Sequence, residues 1–159
     1  MTALVPMGQV SYGRAAFKPA SHKMKTISHH TALIYVMVII SASDGSMSEK
    51  ELKVIGELTK VLPSFSGFDH SRLLAICQEC AQILQEPDGI DAILGLVKEG
   101  LPDVLHETAY WVALEVALAD RRIALEEVRM LDAIRRTLDI DKLTAAAIER
   151  GARAKYQVA

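Results

Sequence analysis

Apolar residues recur along most of this chain at the three- and four-residue spacing that places them on one face of an α-helix. The pattern predicts seven helices, over residues 31–43, 48–62, 71–86, 90–99, 102–119, 124–138 and 141–156. The second helix has a marked start, because Ser48 followed by Glu51 is a capping-box sequence. Within 31–159, proline occurs only at or between the ends of these segments, where it does not interrupt a helix. The pattern predicts an all-α helical bundle.

The chain contains one helix–turn–helix pattern twice, 76 residues apart. The turns DGSMSEKE (44–51) and DRRIALEE (120–127) each begin with Asp, have an apolar residue three positions later and end with Glu. Flanking apolar positions match at the same offset: Tyr35 with Trp111, Val36 with Val112, Ile40 with Val116, Leu52 with Val128, Ile55 with Leu131, Leu58 with Ile134 and Leu62 with Leu138. We therefore predict an internal two-fold repeat of halves 31–62 and 107–138, with the first and fifth helices at the centre of the bundle.

The first apolar run, TALIYVMVIISAS (31–43), has three other interpretations. The first is a transmembrane helix, which is excluded because thirteen residues fall short of the roughly 20 needed to cross a bilayer. The second is a buried strand, because a short apolar run has no diagnostic period. The third is a secretory signal, because Lys25 lies upstream and small residues lie at the end of the run. The counterpart at 108–119 lies deep inside the chain and is rich in Ala and Leu. The repeat therefore favours a helix at both places.

Composition and charge limit the class of protein. A chain of 159 residues with half of them apolar is predicted to form a single domain. The net charge of −2 gives no reason to expect a nucleic-acid partner, and two cysteines indicate a reducing compartment. No acid precedes Asp44, so residues 1–27 are predicted to be a basic, loosely ordered arm, with a transit peptide as the alternative, and 28–159 to be the helical domain.

The two turns supply the candidate metal ligands, Asp44, Glu51, Asp120 and Glu127. Each Asp leaves a helix and each Glu lies in the first turn of the next, so both carboxylates face one gap. If the repeat folds on a two-fold axis, the two gaps converge, and four carboxylates repel unless a hard divalent cation joins them. The spacing excludes an EF-hand, whose loop has about 12 residues.

A structural interpretation of the same acids stays open. Glu51 is explained as the capping-box partner of Ser48, and acids are favoured at helix N-termini. Ala124 replaces that serine in the second turn, so Glu127 has no hydroxyl partner, which favours a function for it. Arg121 and Arg122 offer the opposite explanation, an ion-pair cluster without metal.

Other reactive residues have simple structural interpretations. Cys77 and Cys80 form a lone CxxC on the apolar stripe of a helix and are predicted to be buried as small hydrophobic residues. Three histidines, His22, His29 and His30, are predicted to lie in a solvated arm. The matching Tyr35 and Trp111 are predicted to be paired core aromatics. No phosphate loop, GxSxG or HExxH motif is present, so the sequence predicts no enzyme.

The segments SASDGSMSEKELKVI and ALADRRIALEEVRML resemble the TerB-like tellurite-resistance family over the chain from about residue 30 onward. The resemblance implies an all-helical cytoplasmic protein of tellurite resistance and chemical-stress response. It implies that Asp44, Glu51, Asp120 and Glu127 hold a divalent cation (Ca, Mg, Mn or Zn). It also implies a membrane-associated protein partner without a membrane span; a homodimer stays open. The second turn departs from the family pattern, because Arg121 replaces the glycine.

Overall fold

Seven α-helices account for the apolar pattern of residues 26–159, the part of the chain that the computed structural model describes. They are α1 (His29–Ala42), α2 (Glu49–Val61), α3 (Leu73–Leu84), α4 (Gly89–Gly100), α5 (His106–Ala117), α6 (Leu125–Thr137) and α7 (Lys142–Lys155). Three short 3-10 helices stand in the connections, at Pro63–Phe65, His70–Arg72 and Asp103–Leu105. No strand occurs within this range, so the predicted all-α bundle is confirmed.

Helices α1 and α5 form the centre of the bundle, as predicted. Every residue from 32 to 41 in α1 is buried, because α1 packs against α3, α4, α5 and α6 on different sides. Helix α5 packs against α1, α2, α6 and α7 and buries eight of its twelve residues. A helix that is enclosed on most sides needs no polar face. The apolar run at 31–43 therefore has no clear helical alternation of apolar and polar residues.

Helix starts follow the capping residues in the sequence. Ser28 Oγ accepts a hydrogen bond from the Thr31 backbone N–H at 3.2 Å, and Asp141 Oδ1 accepts one from Thr144 at 2.9 Å. The predicted third and fifth helices each begin instead with a 3-10 turn, and the regular α-helix starts at Leu73 and at His106.

The two helix–turn–helix units correspond closely in their bounds. Helix α6 begins and ends 76 residues after α2, since 125 − 49 and 137 − 61 both equal 76. Each turn also contains an equivalent backbone hydrogen bond. In the first turn the Gly45 N–H donates to the Ala42 carbonyl at 3.1 Å, and in the second the Arg121 N–H donates to the Leu118 carbonyl at 2.9 Å. This correspondence supports the repeat, and the duplication itself stays a prediction.

The predicted basic arm falls mostly on residues 1–25, which lie outside the described range. Its predicted last residue, Ile27, is partly buried against the core and lies beside Gly100, so the folded domain begins slightly earlier than predicted. Among the helices described, none combines the length and the apolar character needed to cross a membrane.

Candidate functional site

The first acidic turn is fixed by the capping box that the sequence predicted. The Ser48 backbone N–H donates to Glu51 Oε2 at 2.7 Å, and the Glu51 N–H donates to Ser48 Oγ at 3.2 Å. Glu51 is buried, with 3% of its surface exposed. Asp44 is exposed on the turn before it and accepts only a long contact from the Ser46 N–H, at 3.5 Å. The turn therefore presents one buried and one outer carboxylate.

The second turn repeats half of this arrangement. The Ala124 N–H donates to Glu127 Oε2 at 2.7 Å, the same bond as in the first turn, whereas alanine has no side-chain oxygen to return it. Glu127 is also buried, and Asp120 is exposed. Glu127 has no hydroxyl partner, as predicted, but its carboxylate still caps the backbone N–H of Ala124. Its presence in the second turn therefore also has a structural explanation.

The two turns meet in space. Ser48 Oγ lies 3.5 Å from Asp120 Oδ2, a contact between residues 72 positions apart. Lys50, in the first turn of α2, places its Nζ 3.9 Å from Asp120 Oδ1. The predicted convergence of the two gaps is therefore present, and the outer carboxylate of one turn lies against the helix start of the other.

The electrostatics of Glu127 show how closely the acids are grouped. Burial raises the pKa of the Glu127 carboxyl above its usual value, and the hydrogen bond from the Ala124 N–H opposes that rise. The negative charges of Asp44, Glu51 and Asp120 raise this pKa further. All four predicted residues therefore belong to one cluster, in which Asp44, Glu51 and Asp120 oppose the negative charge of Glu127.

Positive charge reaches the cluster from a residue that the sequence did not single out. Within residues 26–159, no ion pair joins Arg121 or Arg122 to these carboxylates, and the ion pair is made by Lys50 with Asp120. Both groups of that pair are well exposed, so it contributes little stability. The negative charge of the cluster is therefore only partly compensated.

The arrangement suits a hard cation better than covalent chemistry. Oxygen ligands from carboxylates are what Ca²⁺, Mg²⁺ and Mn²⁺ prefer. Each buried Glu uses Oε2 for the backbone, and among the described residues no hydrogen bond engages its Oε1. The described residues contain no group of three or more His, Cys, Asp and Glu side chains already gathered as metal ligands. Binding would therefore require the exposed Asp44 and Asp120 to swing inward.

The cysteines lie where the sequence placed them. Cys77 and Cys80 are buried in α3 as thiols. Burial raises the pKa of Cys77, and burial together with Cys77 raises the pKa of Cys80 to about 12. Neither sulfur is poised as a thiolate nucleophile or a ligand, which confirms the interpretation as core residues.

The prediction of a solvated arm is wrong for His30. Its ring stacks on Phe65 at 5.7 Å between centroids and meets the edge of Phe68 at 5.4 Å. Burial, followed by the charge of the adjacent His29, lowers the pKa of His30. His22 lies outside the described residues. The aromatic partners are 35 or more positions away in the sequence, so no local pattern indicated this contact.

Trp111 is also not the core residue that was predicted. Its counterpart Tyr35 is buried, but Trp111 is only partly buried and lines an open cavity between helices. One turn further along α5, Glu115 is 1% exposed, and no sequence signal marked it beyond a lone acid within an apolar helix. These two residues belong to a second surface, separate from the acidic turns.

Comparison of the chain with family models, with curated proteins and with solved structures found no match to any of them. The resemblance to the TerB-like family therefore depends on the two acidic turns and their flanking helices alone.

Proposed function

We propose that this chain is a non-enzymatic stress-response module of the TerB-like kind, acting in tellurite resistance, whose two acidic turns together bind a divalent cation. The observation that carries the proposal is the contact between the two turns, where Asp120 Oδ2 lies 3.5 Å from Ser48 Oγ. Three acids, Asp44, Glu51 and Asp120, add to the effect of burial in raising the pKa of Glu127. A divalent cation would remove this repulsion and join the two helix–turn–helix units.

The four residues have two different roles in the proposed binding. Asp44 and Asp120 are exposed, and Asp120 is held only by the long contacts with Ser48 and Lys50 among the described residues, so both can turn toward a cation. Glu51 and Glu127 are held by backbone N–H groups through Oε2, and each offers Oε1 from a fixed position. Two anchored and two mobile carboxylates fit the flexible oxygen coordination of Ca²⁺ better than the strict octahedron of Mg²⁺.

The same geometry supports the proposal of a non-enzymatic role. Metal-assisted hydrolysis needs an open ligand position and room for a substrate beside the cation. Here both glutamates lie buried against the starts of their own helices. The proposal includes a cytoplasmic location and a membrane-associated protein partner, as the family resemblance implies, and no nucleic acid, in keeping with the net charge of −2.

Isothermal titration with CaCl₂, MgCl₂, MnCl₂ and ZnCl₂ tests the proposal. The wild-type chain is expected to bind at least one of these cations, and the Asp44→Asn, Glu127→Gln double variant to lose that binding. The matched control is Glu86→Gln with Asp88→Asn, which removes the same charges at the α3–α4 turn. Absence of binding in the wild type, or equal binding by all three proteins, contradicts the cation proposal.

A second candidate is a helical protein-interaction adaptor without metal, in which the acids act as caps and ion pairs. The observation that favours it is the pair of 2.7 Å bonds by which Glu51 and Glu127 accept the Ser48 and Ala124 N–H groups. Light scattering over a range of chain concentrations tests the homodimer version.

A further inference from the structure

A groove runs along one side of α5, between α2 and α7. Both helices pack on α5, but they make no extensive contact with each other, so the surface of α5 forms the floor of the gap. Two cavities occupy this gap, one beside Leu62, Trp111 and Ile148 and the other beside Val54, Glu115 and Lys155, and we call them together the α2–α7 groove. It shares no residue with the acidic turns.

One end of the groove is apolar and large. A cavity of about 780 Å³ opens between Leu62, Trp111 and Ile148. Trp111 is the only tryptophan of the chain, and its partly buried ring forms part of the floor. Cavities of this size, lined by aliphatic and aromatic side chains, accept a bulky apolar group.

The other end contains an incompletely paired buried carboxylate. Glu115 is 1% exposed, and its Oε2 accepts hydrogen bonds from Lys155 Nζ at 2.6 Å and Tyr156 Oη at 2.8 Å. Its Oε1 is buried and has no hydrogen-bond partner among residues 26–159. Glu115 lines a cavity of about 250 Å³, whose walls include Val54 and Leu58. A buried carboxylate oxygen without a donor is costly, so this site is suited to a cationic donor from outside.

The charge of the groove selects the same ligand. Its lining contains three acids, Glu57, Glu107 and Glu115, and one base, Lys155. Glu57 also forms an exposed ion pair with Lys53 at 3.9 Å, so the acids exceed the bases by one when Lys53 is included. Lys155 is 55% exposed and lies over the rings of Trp111 and Tyr156, at 5.7 and 5.3 Å from their centroids. The chain's own ammonium group thus already occupies a place between a carboxylate and two aromatic rings, which is the chemistry of a cation-binding pocket.

From this geometry we infer that the α2–α7 groove binds a segment of a partner protein that carries an apolar side chain and a Lys or Arg. The apolar side chain enters the Trp111 end, and the cationic group donates to Glu115 Oε1. Trp111 and Glu115 are four residues apart on α5, about 6 Å along the helix axis. A partner helix with its apolar and basic residues three or four positions apart reaches both ends at once. The inference deepens the adaptor candidate and does not depend on cation binding at the acidic turns.

The choice of a protein segment follows from the two ends together. A free amine satisfies Glu115 but leaves the 780 Å³ apolar cavity empty, and an apolar molecule alone leaves Glu115 Oε1 without a donor. Only a ligand with both groups at a fixed separation uses the whole groove.

The experiment selects random 12-residue peptides displayed on phage against the full-length chain and then measures synthetic peptides by Trp111 fluorescence. Two variants change the groove: Gly151→Leu fills it and Glu115→Gln removes its buried charge. Gly95→Leu is the matched control, because Gly95 and Gly151 both lie within helices and a side chain at either meets nothing within 4 Å. Each selected peptide is also made with its basic residue replaced by norleucine.

The expected result is enrichment of peptides that pair a large apolar residue with Lys or Arg at a spacing of three or four. These should bind the wild type and Gly95→Leu equally, and Gly151→Leu and Glu115→Gln at least about tenfold more weakly. Replacement by norleucine should weaken binding to the wild type by a similar factor and matter little for Glu115→Gln. Lys155→Met, which removes the internal competitor, should bind the basic peptides more tightly.

Four outcomes of the peptide experiment overturn the inference. They are a failure to enrich any peptide, enrichment without basic residues, equal binding by Gly151→Leu, and binding of n-hexylamine as tight as that of the peptides. A fluorescence change that depends only on chain concentration, with dimers in light scattering, assigns the groove to a second copy and overturns it as well. If Glu115→Gln does not fold, the norleucine peptides and Gly151→Leu decide the matter. The cation titration uses different residues, so the two proposals fail independently.

Discussion

Gly45 and Arg121 occupy the same position in the two acidic turns, and both have positive φ angles, 104° and 58°. Glycine takes this conformation without penalty, whereas a residue with a Cβ carries a strain of about 1 kcal/mol or more. The second turn therefore has a left-handed residue at the same position as the first, although its sequence has arginine there and not the favoured glycine.

The first prediction concerns this strain. Arg121→Gly should increase the free energy of unfolding by roughly 0.5–1 kcal/mol, because it relieves the left-handed backbone. Gly45→Arg should decrease it by about 1 kcal/mol or more for the same reason. Urea denaturation followed by circular dichroism measures both, and unchanged midpoints would show that the turn relaxes at no cost.

The second prediction separates the charge of Glu127 from its capping role. Glu127→Ala removes the acceptor of the Ala124 N–H and should lower the free energy of unfolding by about 1 kcal/mol. Glu127→Gln keeps an oxygen acceptor and should avoid this loss of stability. Because the pKa of Glu127 is raised in the folded state, the folded chain holds this proton more tightly than the unfolded chain. The associated stability is present at low pH and is lost as the pH rises from the unfolded value near 4.5 through the folded pKa.

Wild type and Glu127→Gln should therefore be similar in stability near pH 4, and the Gln variant should be the more stable near pH 7. The measurement is the free energy of unfolding of both proteins across this range. Under the cation proposal, calcium chloride at neutral pH stabilises the wild type alone. A difference that does not depend on pH would show that the neighbouring charges have no effect on Glu127.

The third prediction concerns His30, whose pKa is lowered by burial between Phe65 and Phe68 and by the charge of His29. A lowered pKa means that the unfolded chain binds the proton first as the pH falls. This contribution to stability is therefore lost as the pH drops below about 6.5 toward the folded pKa. The free energy of unfolding should be measured for the wild type and His30→Gln between pH 7 and pH 5, and it should fall less in the variant. His29→Gln removes only the smaller of the two causes that lower the pKa of His30, so its loss of stability should lie between those of the wild type and His30→Gln. An identical loss in all three proteins would contradict the prediction.

The fourth prediction uses two helical glycines with opposite surroundings. A side chain at Gly56 meets nothing within 4 Å, so Gly56→Ala should stabilise the chain by about 0.5–1 kcal/mol through helix propensity. A Cβ at Gly89 would lie 2.2 Å from the Ile83 carbonyl oxygen and 2.8 Å from Leu84 Cα, both backbone atoms. Gly89→Ala should therefore destabilise by about 1–3 kcal/mol. Thermal unfolding of both variants checks the signs.

The fifth prediction concerns thiol reactivity. Burial raises the pKa of both cysteines, that of Cys80 to about 12, so very little thiolate is present at pH 8. Both thiols should react with Ellman's reagent far more slowly in the native chain than in urea. Rapid native labelling would show that α3 opens on the timescale of the assay.

The sequence predicted the helices well because their apolar spacing and caps are local properties. Helix α6 was predicted over 124–138 and lies at Leu125–Thr137, and the capping box of Ser48 and Glu51 is present as predicted. The meeting of the turns followed from the matching pattern of the two units, since similar units that pack by their central helices bring equivalent turns together.

What the sequence did not reveal depends on distant partners. Glu115 is paired with Lys155 and Tyr156, which are about forty positions away, and the exposure of Trp111 depends on how far α2 and α7 stand apart. Spacing within one helix contains no information on either distance. The repeat was also misleading here, because equivalent positions in two units face different neighbours once further helices pack on one of them.

The enclosed position of α1 has a consequence for how the chain is made. All the helices that α1 packs against, α2 to α6, follow it in the sequence, and α5 ends only at Ala117. At translation rates of about 5–20 residues per second, several seconds pass between the emergence of residue 42 and that of residue 117. During that interval ten successive side chains destined for the interior lack part of their native cover, because α3 and α4 emerge before α5. We expect the nascent chain to be a client of ribosome-associated chaperones until α5 emerges.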